Sequence, residues 1–247
     1  MTNVVVVPPI AIGLSRWVAD DRGLLVGVLL VLLTPCIDYV VVFTGLAGGA
    51  RAQLLAATPL LMVAQLLMLP GYLWLAAGPE VLAVVRAGPF VHAFVVLVLV
   101  PLAAAALVQY RRRRRPDGAG ARVEQALAGA MVPLMAATLA AVVGSQIAAV
   151  GEQALTLVRL VPLYGAFVVA AVVVGLLAAR VTRLDVPAAR AVVFSVTTRN
   201  SLVVLPLALA LPGTLALAPL AVVTQTLVEL VALVVLVRLV PRLVPHR

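Results

Sequence analysis

The sequence predicts an all-α integral membrane protein of about eight transmembrane helices, two of them broken where they cross. Three observations carry that expectation. The 247 residues are 64% hydrophobic and only 11% charged, with a mean hydropathy of +1.21, a balance that soluble domains do not reach. The apolar runs are long and continuous instead of alternating every second residue, which excludes a closed barrel. Two runs are interrupted by polar residues, Thr34-Pro35-Cys36-Ile37-Asp38-Tyr39 and Thr197-Thr198-Arg199-Asn200-Ser201. Hydrocarbon tolerates such residues badly, so paired interruptions point to a shared polar path.

About 20 apolar residues cross a bilayer as a helix. Taken in order, the candidate spans are Val4–Val18, Leu24–Gly45, Leu54–Leu75, Phe90–Gln109, Ala126–Ala149, Leu160–Ala179, Ala191–Leu211 and Leu215–Val237. The first is short and holds Pro8-Pro9, so it is read as broken or incomplete. The second and seventh carry the two polar interruptions. The fourth begins near His92, read as an interfacial or packing histidine. The fifth ends at rim residues Gln146, Glu152 and Gln153, and the eighth holds Gln225 and Glu229.

The net charge of +9 lies in arginines between apolar spans, which argues against nucleic acid as a partner. Arg111–Arg115 and Arg122 fill one loop; Arg180, Arg183 and Arg190 fill another; Arg238, Arg242 and Arg247 lie in the tail. These alternate with poorer loops at Gly78–Arg86, Gly151–Arg159 and Pro212–Thr214. The positive-inside bias places the basic side, and with it both termini, in the cytoplasm of a multi-pass plasma-membrane (bacterial inner-membrane) protein. The contrast is clear from span four onward and weak before it, where Arg51 inside is matched by Arg22 outside. Met1-Thr2-Asn3 provides no basic n-region, so no cleavable signal peptide is expected. A single cysteine excludes an internal disulfide and argues against a metal-cluster framework. No cofactor is expected.

The chain also repeats itself. Thr34–Val41 lies against Thr197–Val204, and Pro59 precedes Gln65 as Pro219 precedes Gln225, by six residues in each case. The copies are offset by an odd number of spans, so they enter the membrane from opposite sides. Inverted repeats with matching polar breaks predict a site at the midplane where two discontinuous helices meet. Residues 1–77 are read as first-repeat core helices, 89–150 as panel-type helices and 159–239 as second-repeat core helices.

Several motifs resemble a known family. Asn3-Val4-Val5-Val6-Val7-Pro8, followed by Gly27–Cys36, resembles the third and fourth helices of the bile acid/sodium symporter superfamily. Cys36–Gly49 is similar to its arsenical-resistance permease branch, where a cysteine opens the broken fourth helix. Arg199-Asn200-Ser201 resembles the ninth-helix break, and Glu229 matches an acidic residue on the tenth helix of those permeases. The resemblance covers nearly the whole chain and implies that the first two helices are absent. It also implies a core domain that moves against a panel, halved here. Sodium-coupled members carry an acid at the position of Ser195. That departure, with the positive charge of Arg199, weakens a sodium site and favours proton-linked or uncoupled transport.

Each candidate residue has a bland reading and a functional one. Cys36 is a small packing residue or a soft ligand for trivalent arsenic or antimony, able to form one transient As–S bond. Asp38 and Arg199 are opposite intramembrane charges that either hold the breaks together or bind substrate. Asn200 and Ser201, with Thr197 and Thr198, offer short polar groups beside unwound backbone as a substrate or ion shell. Glu229 lies four residues after Gln225, on the same helix face, and is a structural acid or a proton carrier; Gln65 is the repeat equivalent of Gln225. The expected function is secondary transport that expels arsenite or antimonite across the bilayer. The alternatives are a sodium-coupled organic-anion symporter and a transport-incompetent truncated member. With no His-Glu-x-x-His and no Gly-x-Ser-x-Gly, an enzyme is not expected.

Overall fold

The computed structural model describes residues 2–36, 39–78, 95–96, 100–114 and 119–245. Its helices are α1 (Thr2–Val5), α2 (Val7–Ser15), α3 (Arg22–Leu32), α4 (Val40–Leu46), α5 (Arg51–Ala77), α6 (Val100–Arg114) and α7 (Ala119–Glu152). They continue as α8 (Ala154–Leu157), α9 (Leu160–Val181), α10 (Val186–Thr197), α11 (Ser201–Leu209) and α12 (Leu217–Leu243). Two compact units divide the chain: Met1–Val85 with Gln146–Arg247, and Arg86–Ser145. The second contains α6 and α7 up to Ser145. Everything below concerns the first.

Proline and capping residues set the boundaries. Pro8 and Pro9 cannot donate to the carbonyls of Val4 and Val5, so the first predicted span breaks at Val6, two residues before the prolines themselves. Tyr72 Oη takes over the Val4 carbonyl at 2.5 Å. Asp21 caps α3 by accepting from Leu24 N, and Asp185 caps α10 by accepting from Ala188 N. That cap, with Pro187 in the first turn, starts the seventh predicted span at Val186 instead of Ala191. The second predicted span is α3 plus α4, and the seventh is α10 plus α11. Because the breaks divide them, the helices among the described residues that are long and apolar enough to cross a bilayer are Ala154–Val181 and Gly213–Leu243. Arg22–Leu32 and Val186–Thr197 are apolar but shorter. Part of the predicted fourth span, including His92, lies outside the described residues.

α3 is buried on every side from Gly23 to Leu32, as a helix apolar all round must be. It packs on α12 through Gly27, where an added Cβ would lie 2.6 Å from the Ala218 carbonyl oxygen. Gly175 makes the same kind of approach between α9 and α10, with Val193 Cα at 2.8 Å. Such small residues let backbones close up where lipid offers no hydrophobic drive. Tyr164 Oη on α9 donates to the Ala221 carbonyl of α12 at 2.9 Å. The outer faces stay greasy: Leu155, Val169, Val181 and Val231 are exposed, a surface that lipid tails cover.

Loops that the arginine pattern assigns to one side touch one another. Arg159 Nη1 meets Asp20 Oδ2 at 2.6 Å, and this guanidinium holds the Asp20 carboxyl below its ordinary range. At the other end, Arg190 donates to the Ala47 carbonyl and twice to the Val244 carbonyl. Ala50 N donates to the Pro187 carbonyl at 2.9 Å.

Candidate functional site at the crossing of two broken helices

Each broken helix ends by serving its own last carbonyls. Pro35 offers no N–H to Val31, so Thr34 N takes that carbonyl in a tighter turn at 3.2 Å, and Thr34 Oγ1 takes Leu30 O at 2.6 Å. In α10, Thr197 Oγ1 donates to Val193 O and Thr198 Oγ1 to Phe194 O, both at 2.8 Å. Beyond these ends the two breaks pair antiparallel at Pro35 and Arg199. Cys36 N donates to Thr198 O at 3.1 Å, and Asn200 N donates to Thr34 O at 2.8 Å. Backbone groups that a bilayer would leave unsatisfied thus satisfy each other. Asn200 Oδ1 then caps α11 by accepting from Val203 N at 3.2 Å.

A carboxylate and a guanidinium lie at opposite helix poles of this crossing. Glu229, from α12, is buried and accepts three hydrogen bonds: from Arg199 N at 2.8 Å, Gln225 Nε2 at 2.5 Å and Tyr39 Oη at 2.7 Å. It sits where α11 begins, at the positive end of a helix. The Arg199 guanidinium, wholly buried, lies where α3 and α10 end. Nη1 donates to Leu32 O at 3.2 Å. Nη2 donates to Asn3 Oδ1 at 3.0 Å, to Ser195 O at 3.4 Å and to Val196 O. The Phe167 ring covers one face, 5.2 Å from Cζ to its centroid. Asn3 Nδ2 completes the link by donating to Ser195 Oγ at 2.9 Å.

Four buried polar atoms in this cluster have no hydrogen-bond partner among the described residues: Arg199 Nε, Asn200 Nδ2, Ser201 Oγ and Gln225 Oε1. Buried unpaired groups of this kind suit a polar solute. A cavity of about 290 Å³ between α1, α5 and α10 is lined by Asn3, Ser195 and Val196, which hold the Arg199 guanidinium, with Thr2 and Gln53 as further polar lining residues.

Of the residues singled out in the sequence, the structure brings together Cys36, Arg199, Asn200, Ser201, Thr197, Thr198, Gln225 and Glu229. Cys36 is fully buried at the bridge. Thr197 and Thr198 use their hydroxyl protons on helix carbonyls, which leaves their lone pairs for a solute. Asp38 and the side chain of Gln65 lie outside the described residues, so the Asp38–Arg199 pair is not on view. Glu152 and Gln153 are exposed, and the side chain of Gln146 lies outside the described residues. Among the described residues, no group of three His, Cys, Asp or Glu side chains is placed to hold a metal ion. Asn3, Tyr39 and Phe167 are site residues that sequence reasoning misses. Tyr39 ends the first polar interruption and Asn3 opens a family-like motif, but neither pattern marks the side chain as part of the site.

Comparison with known proteins adds one positive finding. The family model described as Sodium Bile acid symporter family matches residues 1–153. That match holds Asn3, Cys36 and Tyr39, whereas Arg199 and Glu229 lie beyond it. No curated protein matches the chain.

Proposed function

The chain belongs to the sodium bile acid symporter family, a family of membrane transporters, and from that premise we propose that it expels arsenite or antimonite, proton-linked or uncoupled. The observation that carries the reading is the position of Cys36. Its backbone joins the two broken helices through Thr198, so its thiol belongs to the crossing itself. Trihydroxyarsenic is small and neutral. A lone thiol gives it one exchangeable soft contact, and Asn200 Nδ2 and Gln225 Oε1 offer a donor and an acceptor for its hydroxyls. Full burial of Cys36 fits one closed state of an alternating-access cycle.

Uptake of an organic anion is the second reading. The family match and the buried cation Arg199 favour it.

Arsenite uptake into everted vesicles decides between them. Vesicles carrying the protein should accumulate arsenite, and Cys36→Ser should abolish that flux at every pH while leaving expression intact. Sulfur to oxygen changes little volume but replaces a soft ligand by a hard one. A Cys36→Ser protein as active as the parent would make Cys36 a packing residue. No arsenite flux in the parent, with flux of a carboxylate solute, would establish the second reading.

A further inference from the structure

The family is one of sodium symporters by name, and the oxygens for a hard monovalent cation are present. Leu32 O lies at the C-terminus of α3, Ser195 O and Val196 O lie in the last turn of α10, and Asn3 Oδ1 stands beside them. Three carbonyls from the negative poles of two half-helices, with a side-chain amide oxygen, form an oxygen cage of the kind that binds a cation. Here a guanidinium fills the cage. Nη1 of Arg199 takes Leu32 O, Nη2 shares its two N–H groups among the other three oxygens, and Phe167 closes a face. A sodium ion would have to enter against a fixed positive charge and compete for the same lone pairs. The residues do not fit a dissociable ion at this point.

We propose that Arg199 is a tethered cation that takes the place of a dissociable ion at the ends of α3 and α10, so that the crossing is held together without sodium. The functional corollary, transport that is independent of sodium, rests on the transporter reading above; the structural statement does not. Removal of the guanidinium then has a specific consequence. It leaves an oxygen-lined vacancy with uncompensated helix poles, which a free monovalent cation can occupy.

Thermal unfolding of the purified protein in detergent tests this, in sodium, potassium and choline chloride at equal ionic strength. The parent should melt at the same temperature in all three. Arg199→Ala should melt lower in choline and recover saturably in sodium, by about 3–5 °C at roughly ten times the dissociation constant. Arg199→Lys, which keeps the charge, should not discriminate among the salts. Arg199→Met, which fills the space without charge, should stay low in all of them. Saturable sodium stabilisation of the parent would overturn the proposal. So would an Arg199→Ala protein indifferent to sodium, or failure of both Arg199→Ala and Arg199→Ser to fold in sodium as in choline. Vesicle flux with sodium replaced by choline provides the second arm. Flux that falls in choline overturns the corollary. Absence of any flux sinks the transporter reading and leaves the melting result to decide the tethered cation.

Discussion

Tyr39 has one proton and two acceptors, the Glu229 carboxylate at 2.7 Å and the Arg199 carbonyl at 3.1 Å. With Glu229 ionised, the hydroxyl donates to the carboxylate. With Glu229 protonated, the carboxyl can donate to Tyr39 Oη, and the hydroxyl proton turns to the Arg199 carbonyl at the break. Glu229→Gln copies the second arrangement: its amide oxygen accepts from Arg199 N and Gln225 Nε2, and its amide N–H donates to Tyr39. The variant should therefore fold and lose its response to a pH gradient, whereas Tyr39→Phe should lower stability by about 1–3 kcal/mol through an unpaired buried acceptor. Vesicle flux with and without a gradient, alongside unfolding in detergent, reads both. A Glu229→Gln protein that still follows the gradient would show that protons enter elsewhere. Part of this cluster is legible in sequence. Four residues separate Gln225 from Glu229, which the helical period turns into one face. Asn3 is not legible, because its partner Ser195 lies 192 residues away and no local pattern marks a single amide on an apolar helix.

The two broken helices owe their ends to different devices, and this decides what the sequence shows of them. Pro35 removes a donor outright, so the first break can be read from one residue. The second break has no proline; it follows from the polar run Thr197–Ser201 and from Asn200, which starts α11 as its cap. The backbone pairing of the two breaks is invisible locally, since it needs both strands extended and adjacent. Helix contacts are equally hidden, because a glycine in an apolar run signals nothing until a neighbour is placed over it. Gly27 is such a case, with backbone of α12 within 3 Å of any added Cβ, whereas Gly13 on α2 has open space there. Gly27→Ala should push α3 off α12 and cost about 1–3 kcal/mol. Gly13→Ala should be neutral or stabilising by about 1 kcal/mol through helix propensity. The unfolding midpoint should fall for Gly27→Ala and hold or rise for Gly13→Ala; equal shifts would mean that the α3–α12 approach is not tight.

At the scale of the whole molecule, orientation follows from charge and is supported by which loops meet. The arginine alternation assigns the loops around Asp20 and Arg159 to one side, and these two residues form an ion pair. It assigns Ala47, Arg190 and Val244 to the other, and the Arg190 guanidinium ties all three together. From the positive-inside bias we expect the loop with Arg180, Arg183 and Arg190 to face the cytoplasm, and the Arg111–Arg115 loop likewise. That orientation also sets the direction of transport assays, because everted vesicles present this side to the medium. We therefore expect a cysteine placed at Gly118, in a Cys36→Ala background, to resist an impermeant thiol reagent in intact cells. The same cysteine should react readily once the cells are permeabilised or the vesicles everted. A cysteine at Asp20 should show the opposite pattern, labelling from outside. The Cys36→Ala background matters because the chain has one native cysteine, so every label then reports the introduced site. Rapid labelling at Gly118 in intact cells would invert the assignment, and the vesicle experiments would then measure uptake where efflux is expected.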